Sequence, residues 1–178
     1  MHRMGAVKYK RVYRADCEWV HDFMTRLFAL RLRGLSLRPE GITLAEVTDY
    51  LPKDIDDQDA FCVVAEINGE IVAMLTFSRY TRVDYRHCGD FAMAVLPGYW
   101  RRGIGSSLLQ ELEQWCRAAG VRKIELGVWA GNDAAVRLYE RHGYHHEGCR
   151  KNSILRDGKF LDMLLMGKMV GAVPEENR

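Results

Sequence analysis

Between Val95 and Leu109 the sequence changes character twice within a few residues, and this constrains the fold more than any other stretch. The β-rich run Asp90–Val95 is broken by Pro97-Gly98, the turn Tyr99-Trp100-Arg101-Arg102 follows, and apolar residues then recur at helical spacing from about Gly103 to Ala119, with Gly120 as the stop. A strand that passes so abruptly into an amphipathic helix is a building unit of a layered α/β domain. Gly103 and Gly105 lack Cβ atoms at alternate positions, and the first amides of a helix find no partner within it. Two readings follow. The glycines permit a tight turn, or they let an anion reach the backbone amides with Arg101 and Arg102 beside it, in which case the ligand is a phosphate or pyrophosphate. The spacing is not that of a Walker loop, and the third glycine of a dinucleotide fingerprint is missing, so ATP and NAD recede.

The other elements line up around this unit. A short strand is expected at Lys8–Arg14, a helix from about Asp16 to Arg33 with Trp19, Val20, Phe23, Leu27 and Leu30 on one face and Gly34 as its stop, and a second helix opened by the capping box Thr43-Leu44-Ala45-Glu46 and closed near Pro52. Phe61–Ile67 and Ile71–Arg79 are joined by Asn68-Gly69, a dipeptide that tolerates the positive φ angles of a tight hairpin. Beyond the central unit, Lys123–Trp129 reads as a strand, Asn132–His142 as a helix, and His145–Lys151 with Met163–Lys168 as a closing strand pair. No repeat or linker interrupts this order. One domain over residues 1–178 is expected, with its core at about 8–170 and a short flexible C-terminal tail.

Composition narrows the function. With 178 residues, 48% hydrophobic and 28% charged, the chain is large enough for a real core, and 26 Lys+Arg against 24 Asp+Glu leaves a formal charge of only +2. No global field of that size gathers nucleic acid or an anionic membrane, and neither is expected as a partner. No apolar run is long enough for a membrane span, and the opening Met1-His2-Arg3-Met4-Gly5 lacks the apolar core of a secretory signal, which predicts a cytoplasmic protein. The five cysteines (Cys17, Cys62, Cys88, Cys116, Cys149) are scattered without a C-x-x-C, and the adjacent His145-His146 would point to opposite sides of a strand. Neither a disulfide framework nor a metal site is expected. No serine sits in a nucleophile elbow.

A second informative segment runs from Leu126 to Tyr144. Asn132 stands at an N-cap position with Asp133 in the first turn, and Gly143 at the C-terminal stop. Tyr139 lies seven positions after Asn132, almost two turns at ~3.6 residues each, so both share a face. That face borders a cleft, or Tyr139 is a core aromatic.

Together the two segments resemble the GCN5-related N-acetyltransferases. Trp100-Arg101-Arg102-Gly103-Ile104-Gly105 matches the acyl-CoA signature Gln/Arg-x-x-Gly-x-Gly/Ala except at Trp100, and Asn132, Ala135, Leu138-Tyr139 and Gly143-Tyr144 match the second signature. The tail Arg156-Asp157-Gly158-Lys159 to Met166 is similar to the closing hairpin of many members. The resemblance implies the acyl-CoA N-acyltransferase fold: α/β, a mixed and mostly antiparallel sheet with a central splay, flanked by about four helices. It implies transfer of acetyl from acetyl-CoA to a primary amine, of a small molecule or a protein N-terminus, by direct attack in a ternary complex.

The resemblance also assigns roles. Backbone amides near Val95 would bond the thioester carbonyl, and Arg101, Arg102, Gly103, Ile104, Gly105 and Ser106 would hold the pyrophosphate. Asn132 would contact the cofactor arm, and Tyr139 would touch it and protonate the departing thiolate. Trp100 affects one side-chain contact and leaves the backbone cradle intact. For the base, Asp90 comes first and His87 second. The acceptor groove is expected from the first two helices, Tyr80–Cys88 and the closing hairpin. Asp54, Asp56, Asp57 and Asp59 either attract a cationic amine or form a solvated loop. Some members of that family use a glutamate on the strand before the pyrophosphate turn as the base, and its absence here favours α-amines or similarly acidic amines, which are partly neutral at pH 7 where a lysine amine is not. The rival readings are a non-catalytic acyl-CoA sensor and a nucleotide-binding enzyme. Oligomeric state stays open, a homodimer being one option.

Overall fold

The computed structural model describes residues 5–36 and 38–171. Met1–Met4, Leu37 and residues 172–178 lie outside it, and with them most of the segment read for a secretory signal and most of the expected C-terminal tail. In chain order the elements are β1 (Lys8–Arg11), α1 (Cys17–Ala29), α2 (Leu44–Tyr50), β2 (Ala60–Ile67), β3 (Glu70–Arg79), β4 (Cys88–Val95), α3 (Ile104–Ala118), β5 (Lys123–Trp129), α4 (Asp133–Arg141), β6 (His145–Arg156) and β7 (Lys159–Met169). The strands form a seven-stranded sheet in the order β1-β2-β3-β4-β5-β7-β6. The pairs β1–β2, β2–β3, β5–β7 and β6–β7 are antiparallel, while β4–β5 is parallel. Backbone contacts divide the chain into two compact units, one reaching Ser78 and including Ala92–Trp115, the other made of Arg79–Phe91 and the chain from Cys116 onward.

In the first unit β2 and β3 are buried on both faces, which explains their nearly unbroken apolar sequence. Cys62, Val64 and Met74 pack with Val20, Phe23, Met24 and Leu27 of α1 and Val47 of α2. The residue before Cys62 points the opposite way: Phe61, with Phe77, meets the Trp115 ring of α3 at centroid distances of 5.2 and 5.6 Å. Each such side chain removed from water contributes ~1.5–3 kcal/mol, so both layers are held chiefly by these residues. The hairpin turn has Asn68 at φ 54° and Gly69 at φ 87°, the left-handed pair its dipeptide predicts. The capping box also forms: the Glu46 amide donates to Thr43 Oγ1 (3.2 Å) and the Thr43 amide to Glu46 Oε2 (2.8 Å).

Two expected elements are shorter. The first strand ends at Arg11 rather than Arg14, because Arg14–Asp16 closes into a 3-10 turn. The first helix ends at Ala29 rather than Arg33: Arg31 turns left-handed at φ 47°, three residues before the glycine expected to stop it.

In the second unit α4 is capped as expected, the Ala135 amide donating to Asn132 Oδ1 at 3.4 Å, and Gly143 leaves it at φ 79°. The closing pair is longer than its apolar runs suggest. Asp157 and Gly158, both left-handed, make a two-residue turn that zips β6 and β7 out to Arg156↔Lys159. Bulges at His146/Gly148 and Arg150/Ile154 interrupt the apolar alternation there.

Candidate active site

The first unit supplies the turn. After β4, Pro97–Tyr99 forms one 3-10 turn, Trp100 is extended, Arg101 and Gly103 are left-handed at φ 60° and 81°, and α3 starts at Ile104. A Cβ placed on Gly103 would meet nothing within 4 Å, so this glycine leaves open space beside the helix start. The amides of Ile104, Gly105 and Ser106 belong to the first turn of α3, where no intrahelical acceptor exists. A diphosphate fits this geometry, since the amides and the positive end of the helix dipole both favour negative charge. The guanidinium of Arg102 lies 5.7 Å from the centre of the Tyr99 ring, and the Trp100 indole donates to the Val95 carbonyl at 2.6 Å.

The second unit supplies titratable side chains, in two groups. Tyr139 is 7% exposed and forms a triangle of edge-on rings with Phe91 and Tyr144, with centroids 5.7, 5.9 and 6.0 Å apart. Burial pushes its phenol up to about 12, so it holds its proton at neutral pH. The residue beside Phe91 on β4 is Asp90, which therefore points to the other face of the strand. There it is the register partner of Glu125 on β5. Glu125 accepts from the Tyr80 hydroxyl (2.9 Å) and from Lys123 Nζ (2.8 Å), and Lys123 also reaches Glu147 (2.9 Å).

These contacts divide the charges. Burial alone would raise the Glu125 carboxyl, but the hydrogen bonds from Lys123 and Tyr80 hold it below the ordinary carboxylate value. Asp90 is raised by partial desolvation, offset by a bond to its own backbone, and raised further by the Glu125 charge. Tyr80 is raised by burial and then by its bond to Glu125. A glutamate whose charged form is favoured thus stands opposite an aspartate whose carboxyl is raised.

The residues named from the sequence are partly brought together. Arg101, Arg102, Gly103, Ile104, Gly105 and Ser106 form one turn, and Val95 is tied to it through Trp100. Tyr139 and Asp90 project from opposite faces around β4 instead of sharing one. His87 is exposed, and its carbonyl accepts from the Arg122 and Lys123 amides. In the acidic loop, Asp54 and Asp57 accept backbone amides from Asp56, Lys53, Asp59 and Ala60, so these two shape the loop. Among the described residues no cluster suited to a metal ion and no helix long and apolar enough to cross a membrane occurs. Sequence reading missed Glu125. The signal was there in Lys123 and Glu125 at period two on a strand expected in the sheet, but its value depends on Asp90 being its partner.

The family model of the acetyltransferase (GNAT) family matches residues 24–144. The L-amino acid N-acetyltransferase AaaT of Escherichia coli (strain K12) is 32% identical over 108 residues, 60% of this chain and 67% of that protein. An acetyltransferase of the GNAT family from Streptococcus pneumoniae superposes with a TM-score of 0.84 at 31% identity, covering 93% of this chain and all of that one (100%). A protein from Salmonella typhimurium solved with its cofactor acetyl-CoA shares the fold, with a TM-score of 0.80 at 19% identity over 94% of this chain and 95% of that one. The chain belongs to the acetyltransferase (GNAT) family. It is an acyl-CoA-dependent N-acetyltransferase, which takes acetyl from acetyl-CoA and passes it to an amine.

Proposed function

We propose that the acceptor is a primary α-amine, of a free L-amino acid or a protein amino terminus, acetylated by direct attack on acetyl-CoA within one ternary complex. The observation that carries this is the Asp90–Glu125 pair: a carboxylate raised in basicity, with no cationic partner among the described residues, suits removal of a proton from a weakly basic ammonium. An α-amine of pKa ~8 needs only such a modest base, whereas a lysine amine near ~10.4 needs a stronger one. The similarity to an L-amino acid N-acetyltransferase points the same way.

The amides of Ile104, Gly105 and Ser106, with Arg101, Arg102 and Gly103, hold the diphosphate, and Asn132 contacts the pantetheine arm. The amine nitrogen bonds to the acetyl carbon, its proton goes through water to Asp90, and backbone amides near Val95 stabilise the charge on the carbonyl oxygen. The carbon–sulfur bond then breaks and Tyr139 gives the thiolate its proton. Desolvation that raises the phenol raises a thiolate formed against it as well, which keeps the transfer feasible. His87 is the second candidate for the base, and its proximity favours the charged form of Glu125. Strand β4 runs through both compact units, which supports one N-acetyltransferase domain, and a cytoplasmic location suits the supply of acetyl-CoA.

Release of CoA thiol is measured with free L-amino acids, amino-terminal peptides, polyamines and peptides whose only amine is a lysine side chain. Turnover with the first two and initial-rate lines that intersect are expected. Parallel lines would overturn direct transfer, and turnover confined to lysine side chains or polyamines would overturn the acceptor class.

A further inference from the structure

We infer that Trp100 is a positioning residue for acetyl-CoA: its indole N–H fixes the last peptide of β4 and so sets where the turn that takes the diphosphate begins. This rests on the assignment of Arg101–Ser106 as that turn. The peptide between Val95 and Leu96 is held at both polar atoms. Its carbonyl accepts from Trp100 Nε1 at 2.6 Å, and its N–H donates to the Val72 carbonyl of β3 at 2.9 Å. A peptide plane bonded in both directions cannot rotate without losing one of the two.

Between these anchors the chain closes on itself. The Tyr99 amide donates to Leu96 (2.9 Å) and the Trp100 amide to Pro97 (3.2 Å), so Trp100 is joined through both backbone and side chain to the residues preceding it. The next residue, Arg101, is left-handed at φ 60°, a conformation that residues other than glycine disfavour and that the surroundings must impose. The indole bond lies immediately before it. Trp100 is 53% exposed, so packing alone does not explain an indole held at this spot. A pre-formed turn spares the ligand the cost of ordering it, and the effect therefore falls on acetyl-CoA affinity.

Three substitutions separate the hydrogen bond from the ring. Trp100→Phe keeps a ring and removes the donor, Trp100→Gln keeps an N–H donor and removes the ring, and Trp100→Ala removes both. Calorimetry with acetyl-CoA and steady-state kinetics are expected to show affinity weakened roughly 2–10-fold in W100F and W100A, as for one lost hydrogen bond. Recovery is expected in W100Q, with kcat at saturating acetyl-CoA, acceptor KM and Tm unchanged in all three. Wild-type affinity in W100F would overturn the role, as would a parallel loss of kcat, acceptor KM and Tm. The Gly103→Val variant keeps the two levels apart. If it binds acetyl-CoA normally, the cradle itself is wrong; if it fails to bind while W100F binds normally, only the role of Trp100 is wrong.

Discussion

The turn from Trp100 to Ser106 and the β4–β5 face bearing Asp90 and Glu125 use opposite resources. The turn offers backbone: left-handed Arg101 and Gly103, open space beside Gly103, and the first amides of α3. The β4–β5 face offers side chains alone, with Glu125 bonded to Tyr80 and Lys123 and charged against Asp90. A site made of backbone is written in glycine positions a few residues apart. A site made of side chains depends on which strands become neighbours. In the proposed mechanism the first takes a fixed part of the acetyl donor, while the second adjusts a proton transfer, so damage to each should appear in different constants.

The largest expected effect is at the turn. Gly103→Val places a branched side chain at φ 81°, where an L-residue pays ~1–2 kcal/mol, and fills the open space where the diphosphate is proposed to lie. Acetyl-CoA affinity should fall about 100-fold or more, each tenfold being ~1.4 kcal/mol. Calorimetry with CoA checks this. Tyr139→Phe should lower kcat about 100-fold, the usual range for loss of a positioned acid, while the Phe91–Tyr144 packing and the acetyl-CoA affinity persist. Single-turnover release of CoA measures it directly.

A smaller and more diagnostic effect is expected at Glu125. A negative neighbour raises the Asp90 carboxyl, so Glu125→Gln lowers it, and the acidic limb of kcat/KM should move to lower pH. Release of Lys123 from Glu125 adds to the same direction. A limb that stays in place would remove Asp90 as the base. The smallest effect lies away from both regions: Thr43→Ala breaks the capping box and should cost ~1 kcal/mol of stability in a denaturant titration, with kinetic constants untouched.

What could be read from the chain follows the same division. The Asn68-Gly69 hairpin, the Thr43/Glu46 box, the Asn132 cap and the Gly103 turn are local devices, and the structure forms each of them. Where a boundary had no local marker, reading failed: α1 stops at Ala29 although its apolar spacing continues to Leu30 and its glycine waits at residue 34. Glu125 was illegible for a stronger reason. Its partner Asp90 stands on a different strand, Tyr80 on a third segment, and only the register Cys88↔Lys123 through Asp90↔Glu125 gives the pair meaning. Likewise, alternation along β4 puts Phe91 with Tyr139 and turns Asp90 away, which spacing between the two signatures does not reveal.

The division between a binding turn and the side chains proposed to move protons is tested most directly by titrating acetyl-CoA into Gly103→Val and Tyr139→Phe side by side and measuring the turnover of each at saturation. Affinity lost in the first and kept in the second, with turnover lost in the second, is the predicted result. Equal affinity in both variants, or undiminished turnover in Tyr139→Phe, would contradict it.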